Sequence, residues 1–347
     1  MKQFLSLNKD ETIMLYSLQN YLIKRDLEKE ENLDKKVIKK LWLKKWQNGI
    51  INFLKVATED KDILLVEKYE DIINYITINN IPLYKRRIFL IEILSFYPYF
   101  VLEDKDNNQY KGLRLNKNHR KSICEDIAED LELQRSEVND IEALYKSSYN
   151  FYTEKMKNTV IKVASIVGAG VLFASGAWMF APSITPILTT AGLTGAAAIS
   201  AGLAVLGGGS LTAGSMGITD GTVVLVCGGG ILGCTSEIGN GICMDFLKNS
   251  PEYTLVQIIK LECALKYIFI LNEEENLNTS SDDILDDVIE KINITKDNLI
   301  EEASKCIEKI NKDMTNKKVA KEEKGEVEKI KKSILILDRF INRYQYR

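Results

Sequence analysis

Residues 159–181 read TVIKVASIVGAGVLFASGAWMFA, and after Lys162 they contain 19 uncharged residues in succession. A helix that crosses a bilayer needs roughly 20 predominantly apolar residues. Two prolines interrupt the chain in the segment PSITP, and residues 187–207 then form a second uncharged stretch of 21 residues, ILTTAGLTGAAAISAGLAVLG. The two stretches predict a hydrophobic helical hairpin, rich in glycine and alanine, that starts and ends on the same side of a membrane.

The hairpin belongs to a longer block whose composition differs from that of the rest of the chain. The 74 residues between Lys162 and Glu237 carry a single charged residue, and 18 of the 21 glycines lie between Gly168 and Gly241. By contrast, residues 1–162 alone carry 28 basic and 26 acidic residues. This contrast predicts a mainly α-helical protein with three parts: a helical N-terminal domain at 1–157, a glycine-rich hydrophobic segment at 158–245 and a helical C-terminal domain at 246–347.

The charged flanks show helical spacing and helix-start signals. Asn8, followed three residues later by Glu11, is typical of a capping box. The apolar spacing predicts further helices at about 34–57 and 63–78, and a helix near the C-terminus that breaks and restarts at Thr295. These predictions assign both flanks to helix bundles.

Small residues recur at every fourth position of the second uncharged stretch. Such a face lets helices approach closely in a membrane, and it predicts a helix-association face and a homo-oligomer. An Ala/Gly seam in a soluble bundle would show the same pattern, so this alternative stays open. The residues of the face are Gly192, Ala196, Ser200, Ala204 and Gly208.

Asp220 is the one charge inside the block. In a membrane a buried carboxylate is costly and marks a functional position, whereas the neighbouring glycines equally favour an exposed turn. Gly228, Gly230 and Gly233 form a G-x-G-x-x-G sequence after an apolar run, which leaves a nucleotide-binding enzyme as a remote alternative. No alternation of strands and helices surrounds these glycines, so no cofactor is predicted.

A basic helix at 34–57 carries two tryptophans one turn apart. Such a helix can lie on an anionic membrane, lie on a nucleic-acid backbone, or pack Val37, Ile38 and Leu41 inward with its lysines in water. The overall net charge of −3 argues against a nucleic-acid partner. The candidate residues for a membrane surface are Lys39, Lys40, Trp42, Lys44, Lys45 and Trp46.

The composition excludes several kinds of active site. His119 is the only histidine, which argues against a Ser-His-Asp hydrolase and excludes a multi-histidine metal site within one chain. The six cysteines match no CxxC ligand pair. We therefore predict no metal, no catalytic residues and no enzyme activity. The N-terminus shows no secretory signal, which predicts synthesis in the cytoplasm.

Residues 82–151 run from a long helix through an acidic loop to a second long helix and the sequence LELQRSEVNDI. This stretch resembles the tellurite-resistance TerB-like helical domain. That family carries an Ala-Asp-Gly turn after the first helix, whereas this chain has PYFVLEDKDNN, with Asp104 and Asp106. The resemblance therefore implies a helical domain without a metal site carried over from the family.

A TerB-like helical domain joined to a hydrophobic segment resembles bacterial anti-phage effectors that act on the inner membrane. The leading hypothesis is accordingly an oligomeric effector that inserts into membrane lipid and permeabilises it when a protein trigger or regulator acts. The alternative hypothesis is a soluble all-α interaction or regulatory scaffold with the glycine-rich block as its core.

Overall fold

The computed structural model of the chain is mainly helical. The residues that it describes are 5–58, 60–96, 98–99, 109–110, 112–154, 210–212, 223–225, 231, 244, 247–270, 281–312 and 317–345. The prediction of a mainly α-helical protein is confirmed. The prediction of a hydrophobic hairpin falls on residues outside these ranges.

Six helices form the N-terminal part of the molecule. The first begins with the predicted capping box, in which Asn8 and Glu11 each accept a hydrogen bond from the other's backbone amide at 2.9 Å. The helices are α1 (Lys9–Glu28), α2 (Leu33–Thr58), α3 (Tyr69–Ile78), α4 (Leu83–Ser95), α5 (Lys117–Asp130) and α6 (Ser136–Glu154).

The segment before α3 is extended rather than helical, so the predicted helix at 63–78 begins six residues too early. Ile63 and Leu65 are buried while Leu64 between them is exposed. This alternation is the period-2 pattern of an extended chain. The backbone amide of Val66 donates to Ser17 Oγ at 2.9 Å, which ties the segment to α1.

A small antiparallel sheet connects the start of the chain to the glycine-rich block. Its strands are β1 (Ser6–Leu7), β2 (Ser210–Thr212) and β3 (Val223–Leu225), in the order β1-β3-β2. In β3, Leu225 pairs with Ser6 on one side and with Ser210 on the other. The glycine-rich block is therefore joined to the N-terminal part by backbone hydrogen bonds.

The C-terminal part contains α7 (Pro251–Ala264), a π-helical segment (Leu265–Ile270), α8 (Ser281–Lys312) and α9 (Lys317–Gln345). Pro251 stands in the first turn of α7, and the Ser250 side chain caps that helix. Ion pairs between Lys309 and Glu323 and between Lys296 and Asp338 show that α8 and α9 run antiparallel.

Buried residues from both ends of the chain form one hydrophobic cluster. Helix α7 is central to it, since it contacts α4, α6 and α9. Ile231 of the glycine-rich block and Leu247, two residues beyond the end of that block, are fully buried and also join this cluster. The carbonyl of Ile231 accepts a hydrogen bond from Thr295 Oγ1 of α8 at 3.1 Å, and the carbonyl of Leu247 accepts one from Ser333 Oγ of α9 at 2.6 Å.

Candidate protein-docking site

The inward face of α2 is built from large side chains. Trp42 and Trp46 are fully buried, with parallel rings whose centroids lie 6.1 Å apart. Tyr99 lies edge-on to Trp42 at 5.3 Å, and Phe96 packs on Trp46 at 5.5 Å. These aromatic contacts fix how α2 is rotated against the molecule, because a large apolar side chain costs free energy when it is turned into water.

A buried ion pair also holds α2 against α1. Lys39 and Asp26 each have a side chain only 2% exposed, and their charged atoms lie 2.6 Å apart. The same carboxylate accepts hydrogen bonds from the Tyr99 hydroxyl at 2.7 Å and from the Asn116 amide at 3.0 Å. Glu30 approaches Lys39 at 2.9 Å. Buried charges are stabilised only when they are paired and hydrogen-bonded in this way.

The contacts in this cluster shift the pKa values of Tyr99 and Glu30. Burial, and then the neighbouring Asp26 carboxylate, raise the pKa of Tyr99 well above its usual range, so the phenol stays a proton donor. The hydrogen bond from Lys39 lowers the pKa of Glu30. Both shifts preserve the observed pattern of hydrogen bonds around neutral pH.

The outward face of α2 carries an apolar ridge. Leu33, Val37 and Leu41 have 77%, 60% and 47% of their surface exposed. They follow one another at four-residue steps, so at 1.5 Å per residue the ridge is about 12 Å long. Isolated exposed apolar residues are ordinary on protein surfaces, whereas aligned ones on a fixed element are typical of an interaction site.

A row of lysines runs beside this ridge at the same spacing. Lys40 and Lys44 are exposed, and Lys36 is half-buried with its ammonium group 3.4 Å from the Glu28 carbonyl. Each of these lysines follows a residue of the ridge by three positions. At 100° per residue this spacing places the two rows about 60° apart around the helix. The residues Leu33, Val37, Leu41, Lys40 and Lys44 are called the docking face below.

The prediction that Lys39, Trp42 and Trp46 lie at a membrane surface is wrong. All three are buried, because Lys39 pairs with acidic groups of α1 and of the following loop while the tryptophans pack in the core. Lys40 and Lys44 are exposed, as that prediction requires of them.

The alternative prediction for this helix is also wrong in its orientation. Val37 and Leu41, expected to point inward, are exposed, and Ile38 is half-buried. Lys45 is half-buried, with its ammonium group 5.9 Å from the centre of the Tyr110 ring. The docking face was therefore missed. The signal that could have located it is the spacing of Trp42 and Trp46. These two residues mark the side of the helix with the largest apolar side chains, which is the side expected to be buried.

Several predicted site residues lie outside the part of the chain that the structure describes. They are the helix-association face (Gly192, Ala196, Ser200, Ala204 and Gly208), Asp220, and the glycines Gly228, Gly230 and Gly233.

The hypothesis of a membrane-inserting, permeabilising effector is contradicted. Among the residues that the structure describes, no helix combines the length and the apolar character needed to cross a bilayer. Described parts of the glycine-rich block instead pair in a sheet with β1, and the carbonyl of Ile231 in this block accepts a hydrogen bond from Thr295 of α8.

A second set of buried charges joins α7 to both halves of the molecule. Lys260 and Glu92, on α7 and α4, are 3% and 0% exposed and lie 2.8 Å apart. In the following π-helical segment, the Tyr267 hydroxyl donates to Glu137 of α6 at 2.5 Å, and Arg87 of α4 approaches the same carboxylate at 3.2 Å.

The third buried carboxylate of this set is Glu262 of α7, which is fully buried. It accepts a hydrogen bond from the Tyr152 hydroxyl of α6 and pairs with Arg343 of α9 at 3.0 Å. Arg343 also lies over the Phe151 ring, 4.0 Å from its centroid. Each of these contacts crosses from one helix to another, so the charges fix the relative positions of α4, α6, α7 and α9.

Replacing Lys260 with methionine is expected to lower the free energy of unfolding by about 3 kcal/mol or more, since Glu92 would keep a buried charge without its cation. Urea denaturation followed by circular dichroism measures this change. The double variant Glu92→Gln/Lys260→Met is the control and should recover a large part of the loss. If the single and the double variant lose the same free energy of unfolding, the loss comes from changed packing and not from the unpaired charge.

One group of side chains in the described part of the chain has the composition of a metal site. Cys306, Glu323 and Glu326 bring a thiol and two carboxylates within 4.8 Å of one another. Burial and the hydrogen bond to Glu323 raise the pKa of the Cys306 thiol to about 11, and Lys309 already lies 3.6 Å from Glu323. Lys309 thus already supplies a cation to one of the two carboxylates, so we assign no metal to this group.

Comparison of the chain with family models, with curated proteins and with solved structures finds no match to any of them. The resemblance of residues 82–151 to a TerB-like domain stays a prediction.

Proposed function

We propose that this protein is a mainly helical interaction scaffold that binds a partner protein at the docking face of α2. The observation that carries this proposal is the alignment of Leu33, Val37 and Leu41, three large aliphatic side chains exposed on one side of a helix. A helix that binds another protein presents its apolar anchors at steps of three and four residues, and the four-residue steps of this ridge fit that spacing.

The buried cluster beneath α2 supports this function. The Lys39–Asp26 pair and the packed tryptophans hold the helix from its inner side. A surface that is fixed before it binds loses less conformational entropy on association, and its affinity is higher for that reason. The helix α2 is thus already ordered in the free protein, and binding of the partner does not have to order it.

The charge contacts of α7 support a scaffold in the same way. Lys260, Glu262 and Tyr267 connect α7 and its π-helical extension to α4, α6 and α9. Motion of any one of these helices would separate buried opposite charges, which is costly. Ile231 of the glycine-rich block is buried in the same core.

Photo-crosslinking in the cells that produce the protein tests the proposal. We would place a benzophenone amino acid at position 37 of the full chain and, as the matched control, at Ile78, which is 77% exposed on α3. The expected result is a discrete protein adduct from position 37 that is absent from position 78. A Leu41→Glu change in the same chain should reduce this adduct at least tenfold, because it places a carboxylate in the apolar contact.

Leu41 is half-exposed, so its replacement should leave folding intact, and thermal unfolding of the variant checks this. The same set of adducts from positions 37 and 78, or no adduct from either, would refute the proposal.

A further inference from the structure

We infer that the docking face binds an acidic amphipathic helix of a partner protein. This inference rests on the proposed function and names the chemistry of the partner. It follows from the shape of the apolar ridge and from the sign of the charges beside it.

The ridge is narrow. Leu33, Val37 and Leu41 cover an arc of only about 80° around α2, at 100° per residue. A ridge of this width fits between two rows of side chains on one other helix, where each knob enters a hole formed by four residues. Its length of about 12 Å corresponds to roughly two turns of the partner helix.

Apart from Asp34 at the start of the ridge, the exposed charges beside it are basic. Lys40 and Lys44 are exposed and are not assigned to any ion pair among the described residues, whereas Lys39 and Lys36 on the same helix contact carboxylate or carbonyl oxygens. A partner helix with carboxylates next to its apolar row would place them against this lysine row. Opposite charges flanking an apolar seam are what fixes partner choice and orientation in helix pairs.

A second copy of the chain fits less well. In an antiparallel pair of α2 helices related by a two-fold axis, the same flank of each helix faces its counterpart. The lysine rows of the two copies would then lie side by side, with Lys40 of one copy near Lys36 of the other. Like charges at this position are destabilising.

A membrane surface also fits less well. Helices that lie on a bilayer bury a wide apolar face and use aromatic side chains as anchors. On α2 the two tryptophans are buried inside the protein, and the outer face shows only the narrow ridge.

A synthetic peptide tests the inference on the full chain. The probe is an 18-residue fluorescein-labelled helix with leucines at steps of three and four and glutamates on both sides of them. The control peptide has glutamine in place of every glutamate. Fluorescence anisotropy at low salt should show the acidic peptide binding at least tenfold more tightly than the control, and the difference should shrink as salt is added.

Charge variants of the protein give the matched comparison. Lys40→Glu/Lys44→Glu should weaken binding of the acidic peptide at least tenfold. Lys146→Glu/Lys329→Glu, at two exposed positions on α6 and α9, makes the same change in net charge and should leave binding within about twofold. Equal effects of the two double variants would show that the acidic peptide is attracted by the net charge of the protein and not by the docking face. That result would overturn the inference.

Other results would overturn it in favour of a specific alternative. Sedimentation with phosphatidylserine/phosphatidylcholine vesicles that Val37→Glu abolishes would assign the face to a membrane. A dimer in light scattering that Val37→Glu dissociates would assign it to a second copy. If position 37 forms its protein adduct but the acidic peptide does not bind, the proposed function stands and this inference fails. If neither occurs, both fail.

Discussion

Lys39→Met is expected to lower the free energy of unfolding by about 3–5 kcal/mol, the usual cost of removing one partner of a buried ion pair. The Lys39 side chain is 2% exposed, and its removal leaves Asp26 buried without its nearby cation. Hydrogen bonds from Tyr99 and Asn116 to that carboxylate remain, but they do not neutralise its charge. Urea denaturation at pH 7 measures the loss.

The neighbouring lysine is the matched control for this change. Lys40→Met alters the same residue type one position along the same helix, and because Lys40 is exposed its effect should stay within about 0.5 kcal/mol. Asp26→Asn/Lys39→Met removes both charges and should recover part of the stability. A loss below 1 kcal/mol in Lys39→Met would contradict the role of this pair in fixing α2.

Alkaline pH is expected to unfold the protein steeply. Burial raises the pKa of Tyr16, Tyr145 and Tyr253 above the usual value of 10, and burial together with a nearby carboxylate does the same for Tyr99 and Tyr152. Each of these tyrosines loses its proton at lower pH in the unfolded chain than in the folded one. Its contribution to stability is therefore complete below pH 10 and is lost as pH rises above that value.

Each such tyrosine lowers the free energy of unfolding by up to about 1.4 kcal/mol per pH unit above pH 10. Five together suffice to offset a typical total stability within one to two pH units. Denaturation midpoints at pH 9, 10, 10.5 and 11 test this. Tyr145→Phe should make the decline shallower by about the contribution of one tyrosine, and a free energy of unfolding that stays constant up to pH 11 would contradict the prediction.

Local sequence signals located most helices, because capping and periodicity are properties of neighbouring residues. The capping box of Asn8 and Glu11 starts α1, and the helix predicted at 34–57 is α2, Leu33–Thr58. The predicted restart at Thr295 does not occur, since α8 continues through it. The hydroxyl of buried Thr295 lies within hydrogen-bond distance of the Lys291 carbonyl of its own helix and of the Ile231 carbonyl, so its polar group is satisfied without a break in the helix.

The face of α2 could not be predicted from periodicity, because the decisive contacts are distant in sequence. Lys39 looks like a solvated lysine among other lysines until Asp26 on another helix and Tyr99 on a later loop are placed beside it. Because Lys39 was interpreted as a solvated lysine, the exposed side of α2 was assigned wrongly and the docking face was not predicted. The same holds for Glu92 and Lys260, which are 168 positions apart and whose pairing no local pattern indicates.

The three-stranded sheet has a consequence for synthesis. Ser6 pairs with Leu225, so about 220 residues separate the two strands that meet there. At the usual translation rate of roughly 5–20 residues per second, the ribosome makes β3 some 11–44 s after β1. During that interval the β1 edge has no β3 to pair with. Contacts of such long sequence separation form slowly, so the sheet can form only late, after β3 has been synthesised.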